Sequence, residues 1–269
     1  MAVTKEFSES LVLRNDEDSI SNLIINRPKS YNALSIDCME ALMKEIRAIS
    51  EDPSVKVIVL SGSGKGFCAG HDLKEMRGNP EREFYEKTFN VCAKMMMSII
   101  DCPKPVIAKV HGIATAAGCQ LVSTCDLAVA DENARFATPG VNIGLFCSTP
   151  MVGLSRNVTR KHAMEMLLTG EFISAQRACE IGLINKVVPE DELDNAAMEL
   201  ATKIASKSPL TLKIGKEAFY KQLDKDMAGA YEYCSKVMVE NMMARDAEEG
   251  IDAFLEKRKP NFKNIKWFS

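Results

Sequence analysis

Two stretches of this chain gather small residues where main-chain groups could do chemistry: GKGFCAGHDLKEM at 64–76 and KVHGIATAAGCQLVSTCDLAVA at 109–130. Each follows an apolar, β-branched run, VKVIVL at 55–60 and KPVIAKV at 104–110. The spacing therefore predicts strand, small-residue turn, then helix, twice over. Small residues at a turn let the backbone approach a ligand closely, and a helix start presents unpaired N–H groups in a dipole that favours negative charge. Two such turns could converge on one oxyanion. Within the first turn stands His71, whose ordinary pKa lies near physiological pH. It reads either as a proton carrier or as a hydrogen-bonding turn residue.

Other motifs resolve into plainer readings. GSGKG at 62–66 lacks the GxxxxGK followed by Ser or Thr of a phosphate loop, so it predicts a surface turn after a strand. The nine cysteines are an odd number with no CxxC pair, and only His71, His111 and His162 are available beside them; no metal site is expected. Cys92, Cys119 and Cys179 read as small hydrophobes in a reducing compartment. The run Met95, Met96, Met97 reads as core, or as a flexible wall of an acyl pocket if its helix leads toward the turns.

The elements that must position these turns follow from periodicity. Residues 8–26 predict a two-stranded hairpin with the polar NDED at 15–18 as its tip, and NRPKSYNAL leads into a helix over 35–51 capped by Ser35. A strand at 55–60 enters the first turn, and a longer helix over 81–100 ends at the CPKP of 102–105. After the second turn come a helix at 118–125, strands at 127–130 and 134–137, and a mostly helical remainder interrupted by the strand-like NKVV at 185–188. Alternating strands and helices up to residue 188 predict a mostly parallel α/β core, 1–188, and strand-free residues 189–269 predict a helical C-terminal region. Met227, Tyr231, Met238 and Met242 recur at roughly helical spacing there and predict an apolar stripe buried against neighbouring chains.

Composition excludes several classes. Hydrophobic residues at 46% and charged residues at 26% are a globular balance, and a net charge of −3 offers no field for nucleic acid. No apolar run reaches the ~20 residues needed for a bilayer span, and the N-terminal MAVTKEFSES lacks a signal pattern, so a cytoplasmic location is expected with no membrane insertion.

Taken together, AGHDL, HGIATAAGCQL, NRPKSYNAL and the closing EGIDAFLEKRKPNF resemble the enoyl-CoA hydratase/isomerase (crotonase) superfamily over nearly the whole chain. The resemblance implies an α/β crotonase-like spiral of strand-strand-helix units with a C-terminal helical trimerisation region, and a homotrimer or homohexamer. It implies an acyl-CoA thioester as partner, coenzyme A entering as part of the substrate and no prosthetic group. Its shared chemistry stabilises a thioester enolate with two backbone N–H groups, and the matching positions are Ala69 and Ala117. For the coenzyme A moiety the matching positions are Lys29, Ser30 and Tyr31, then Ala69, His71, Asp72 and Leu73, then Phe254 and Lys257; a solvated helix face is the other reading of Lys257. Asp72 also reads as a helix cap, and Asp126 as a binder of backbone N–H groups.

The chain departs from that pattern where hydratases carry their two glutamates. The matching residues are Gln120 and Gly140. A glutamine amide orients water but takes no proton near neutral pH, and glycine offers no side chain. Ordinary hydration is therefore expected to be very slow, and glutamates placed at both positions are expected to raise it, provided the water site survives. The resemblance leaves two other readings open. AGHD occurs in members that decarboxylate methylmalonyl-CoA, with His71 as the group to test, although Cys147 stands where those carry a tyrosine. A non-catalytic acyl-CoA-binding or regulatory protein is the other.

Overall fold

The N-terminal alternation forms a hairpin of β1 (Val12–Glu17) and β2 (Ile20–Ile25), in a computed structural model that describes residues 10–262. Residues 1–9, which carry most of the segment read for a targeting signal, lie outside the described residues. The hairpin turns at Asp18 and Ser19, whose φ of 49° and 66° give the turn the twist that antiparallel strands need, slightly beyond the expected tip. Helix α1 (Ile36–Glu51) begins where Ser35 accepts the Cys38 N–H, a cap worth about 1 kcal/mol, and stops at Asp52. Strand β3 (Val57–Gly62) starts two residues later than expected, because Val55 closes the turn after α1 by donating to the Asp52 carbonyl.

The first small-residue turn then leads to the short helix α2 (Leu73–Gly78) and the long α3 (Arg82–Asp101). β4 (Val106–Val110) and β5 (Ile113–Thr115) precede α4 (Ala117–Thr124), and β6 (Leu127–Asp131) and β7 (Arg135–Ala137) follow it. A 3-10 turn at Pro139–Ile143 joins β7 to α5 (Pro150–Asn157) and α6 (Arg160–Thr169). β8 (Ile173–Ser174), α7 (Ala175–Glu180) and β9 (Lys186–Val188) complete the strands of the described residues. Four helices close the described chain: α8 (Leu193–Ala205), α9 (Pro209–Gln222), α10 (Met227–Met242) and α11 (Arg245–Leu255).

The main sheet has the order β1-β2-β3-β4-β6-β9 and is parallel except for the hairpin. Its strands are continuous apolar runs because both faces are buried. Ile58 and Leu60 of β3 join the core that holds α1, α3 and α4, while Val57 and Val59 join the opposite core under α8. Helix α8 offers mainly alanines there, Ala196, Ala197, Ala201 and Ala205. It covers Ile20, Val57, Val59, Ile107 and Val129, each worth ~1.5–3 kcal/mol when removed from water. α9 is fastened to the same body by Lys216, whose Nζ reaches the Ile99 and Lys104 carbonyls at 2.8 and 3.0 Å and Asp126 at 2.7 Å. The aspartate also accepts the Val106 N–H and the Tyr220 hydroxyl. Its expected role as a binder of backbone N–H groups thus covers only one of its partners.

Candidate active site

A second, small sheet of order β5-β7-β8 builds the site, and neither β5 nor β8 has a strand signal in the sequence. Beside β5 runs the first turn, zipped to it by parallel main-chain bonds. The Phe67 N–H donates to the His111 carbonyl at 2.9 Å, Cys68 to Ile113 at 3.0 Å, and Thr115 to Cys68 at 2.9 Å. Two glycines make this approach feasible. A Cβ on Gly118 would lie 2.1 Å from the Cys68 carbonyl oxygen, and one on Gly70, where φ is +93°, would lie 2.9 Å from the Ala116 Cβ and 3.2 Å from the Ala117 nitrogen. The two turns expected to converge are therefore in contact.

Ala116 marks the junction by its backbone. Its φ of 50° and ψ of −117° lie where glycine is comfortable and alanine is not, a strain of order 1–3 kcal/mol that its N–H bond to the Ala137 carbonyl helps to hold. The conformation turns the chain directly from β5 into α4, so that Ala117 opens the helix with no acceptor for its N–H among the described residues.

The first expected donor is corrected. Ala69 donates its N–H to the Tyr31 carbonyl at 2.9 Å, so it has no hydrogen to offer a ligand. Two residues on, the His71 N–H has no acceptor among the described residues, although its neighbours are bonded: the Gly70 carbonyl accepts from Leu34 and the Asp72 N–H donates to Leu34. A sequence motif places the turn but not the direction of each amide, which here depends on a carbonyl 38 residues upstream.

Side chains at the junction are polar and uncharged. Gln120, 6% exposed, lies one turn into α4 on the side of Ala117, and its Oε1 is buried without a hydrogen-bond partner. His71 packs edge-on against Phe89 of α3, with ring centroids 5.4 Å apart, and its Nε2 is likewise buried without a partner. Burial pushes the imidazole down to about 4, so it is neutral at pH 7. The expectation of a histidine titrating near physiological pH is corrected accordingly. Thr138, directly after β7, carries a third such atom, Oγ1. Nothing in the sequence marks it.

Gly140 lies in the 3-10 turn and is tightly enclosed. A Cβ there would meet the Leu145 carbonyl oxygen at 2.5 Å and the Cys147 Sγ at 2.9 Å. The condition on placing a glutamate at this position is not met without a shift: the chain at 145–147 fills the room a side chain would need.

The remaining expected residues divide. Lys29 and Ser30 form a 3-10 turn that Tyr31 ends with φ of 50°, and the Tyr31 carbonyl ties this loop to the first turn. Asp72 caps α2 by accepting the Lys74 and Glu75 N–H groups and pairs with Arg27 at 2.8 Å, so its carboxylate is engaged in structure. Leu73, beside it, is exposed. Phe254 is exposed on α11 and Lys257 follows that helix with φ of 57°; no hydrogen bond or ion pair joins either to the turns. The GSGKG segment is closed by Asn32, whose amide donates to the Ser63 and Gly66 carbonyls at 2.8 and 2.7 Å. Met95 and Met96 are core, and Met97 is exposed. Burial raises the thiols, Cys38 to about 11 and Cys68, Cys92 and Cys119 to about 12, so they stay protonated at neutral pH.

Comparison with known proteins gives a consistent answer. The family model described as enoyl-CoA hydratase/isomerase matches residues 15–265. Enoyl-CoA hydratase domain-containing protein 3, mitochondrial, of Homo sapiens is 51% identical over 243 residues, 90% of this chain and 80% of that protein. The crystal structure of an enoyl-CoA hydratase from Mycobacterium smegmatis superposes with a TM-score of 0.92 at 52% identity, covering 94% of this chain and 99% of that one. The crystal structure of human enoyl-coenzyme A hydratase domain-containing protein 3 gives 0.91 at 49% identity, covering 93% and 99%. The expected crotonase-like α/β fold holds. The expected cytoplasmic location does not: relatives 44–51% identical, from Danio rerio to Homo sapiens, are named mitochondrial.

Proposed function

Because the chain belongs to the enoyl-CoA hydratase/isomerase family, we propose that it binds an acyl-CoA thioester with the carbonyl oxygen between the His71 and Ala117 N–H groups and acts as a lyase-type enzyme on the enolate so stabilised. One observation carries this reading: where the two turns touch, the His71 and Ala117 N–H groups have no acceptor among the described residues, while Gly70, Asp72 and Ala116 next to them donate theirs within the fold. Backbone donors aimed at charge that grows only in the transition state contribute about 3–4 kcal/mol each, and they need no particular side chain. Coenzyme A enters as part of the substrate. The loop at 29–31 would receive its pantetheine, and the bond from Ala69 N–H to the Tyr31 carbonyl, which ties that loop to the first turn, supports this.

Ordinary hydration is slow in this proposal, because a lost general base costs ~10²–10⁴ in rate. Gln120 supplies none, and the enclosure of Gly140 leaves no room for a second carboxylate. A malonyl-type decarboxylation that drew its proton from His71 is disfavoured by the neutrality of that ring at pH 7. The same enclosure of Gly140 favours a second reading from a different class, retention of acyl-CoA without turnover.

Calorimetry with butyryl-CoA, together with turnover assays on crotonyl-, methylmalonyl- and acetoacetyl-CoA, separates the readings. Binding with turnover of one of the three supports the enzyme, and binding without turnover supports retention. No affinity for any acyl-CoA on folded protein overturns both.

A further inference from the structure

The direction of the His71 amide is set by how the first turn lies against the segment at 27–36. Leu34 and His71 form a single parallel bridge, in which the Leu34 N–H donates to the Gly70 carbonyl at 2.7 Å and the Asp72 N–H donates to the Leu34 carbonyl at 3.0 Å. In a planar trans peptide the C=O and N–H point opposite ways, so a Gly70 carbonyl aimed at Leu34 turns the His71 N–H away from it. One bridge supplies only these two hydrogen bonds. That is little to hold an amide at a site where a misplacement of ~1 Å can cost 10²-fold in rate.

Arg27 spans the turn and supplies what the bridge lacks. Its main-chain N–H donates to Asn32 Oδ1 at 2.9 Å, and the buried Asn32 amide donates to the Ser63 and Gly66 carbonyls, where the turn begins. Its guanidinium donates through Nη1 to the Ala33 carbonyl and through Nη2 to Asp72 at 2.8 Å, where the turn ends. Ala33 precedes Leu34 and Asp72 follows His71, so one planar fork clamps both sides of the bridge. Asp72 also fixes the start of α2, and Glu75 in the first turn of that helix accepts the Ile36 N–H of α1 at 3.1 Å. Charge-assisted bonds from a guanidinium are stronger and more directional than neutral ones, and side chains only 20% and 14% exposed limit competition from water.

We propose that Arg27 is a positioning residue of the thioester site: through Ala33 and Asp72 it holds the Gly70–His71 peptide in the orientation that leaves the His71 N–H free for the thioester oxygen. The inference rests on the proposed thioester site and adds the residue on which one of its two donors depends.

The test reads the donors through the substrate carbonyl. Hydrogen bonds to a thioester C=O lower its stretching frequency, and the infrared difference between complexes of carbonyl-labelled and unlabelled butyryl-CoA isolates that band; at saturation the shift does not depend on affinity. Wild type is compared with Arg27→Gln, Arg27→Lys and Arg14→Gln, each with its melting temperature. Arg14 bridges Asp16 and Asp52 at the far end of α1, so its loss lowers stability without reaching the turn. Arg27→Gln is expected to keep about half of the wild-type shift or less, one donor of two being misdirected. Arg27→Lys, a point charge without the fork, is expected to fall between, and Arg14→Gln to keep the whole shift. A full shift in folded Arg27→Gln, or an equal loss in Arg14→Gln, overturns the inference and leaves the thioester site standing. Should Arg27→Gln not fold, Arg27→Lys decides, and a full shift there overturns it. A wild type that binds butyryl-CoA without a shift, or does not bind it, removes the thioester site and this inference together.

Discussion

A side chain at Gly140 would begin 2.5 Å from the carbonyl oxygen of Leu145, so the absence of a carboxylate at this position is built into the backbone around it. Gly140→Glu is expected to destabilise the fold by at least about 1–3 kcal/mol, the usual cost of overpacking. Gln120→Glu alone should fold, and the double variant should gain no crotonyl-CoA hydration over it. Thermal melts and a hydration assay check this; a double variant that melts with the wild type and hydrates faster than Gln120→Glu would show that the 145–147 segment yields.

The His71 ring should report on pH. Its folded pKa is depressed to about 4 from an ordinary 6.5, so the folded state binds fewer protons than the unfolded chain between those values. The stability it contributes is complete above pH 6.5 and is lost as pH falls toward 4. The melting temperature should therefore fall more steeply over this window in the wild type than in His71→Gln. Parallel slopes for the two proteins would mean that other groups carry the dependence.

Lys216→Met is expected to cost about 3–5 kcal/mol, because it leaves Asp126 largely buried without its cation. Urea unfolding measures the loss. A change below about 1 kcal/mol would place the ion pair with surface pairs, which contribute little.

Helices α9 and α10 have no buried residue in the single chain, and Met227, Tyr231, Met238 and Met242 are all more than half exposed. Two helices without a core face call for a partner surface, and we expect self-association to a trimer or hexamer. Light scattering on wild type should give that mass, and Tyr231→Asp with Met238→Asp should lower it without loss of helical circular dichroism. A monomeric wild type at micromolar concentration would refute the association.

What the sequence made legible was local. Ser35 caps α1, the period of apolar residues carries α3, and the β-branched runs become β3 and β4, because each signal lies inside its own element. β5 and β8 carry no local signal because they are three and two residues long and exist only through pairing with β7 and the first turn. The site followed the same division. The small-residue turns were readable, but which amide stays unbonded depends on the Tyr31 carbonyl, and the filling of the Gly140 position depends on a return of the chain at Leu145. Both are tertiary facts with no local pattern.

The bonds of Lys216 also bear on the order in which the molecule assembles. One ammonium gathers Ile99, Lys104 and Asp126, which lie 117, 112 and 90 residues before it, and it can give up its water only when all three acceptors stand in place. The sheet can form from earlier residues, so α9 docks late, onto a surface already built. During synthesis a chain emerging without Lys216 would hold Asp126 hydrated, and the last helices would act as the latch that completes the fold.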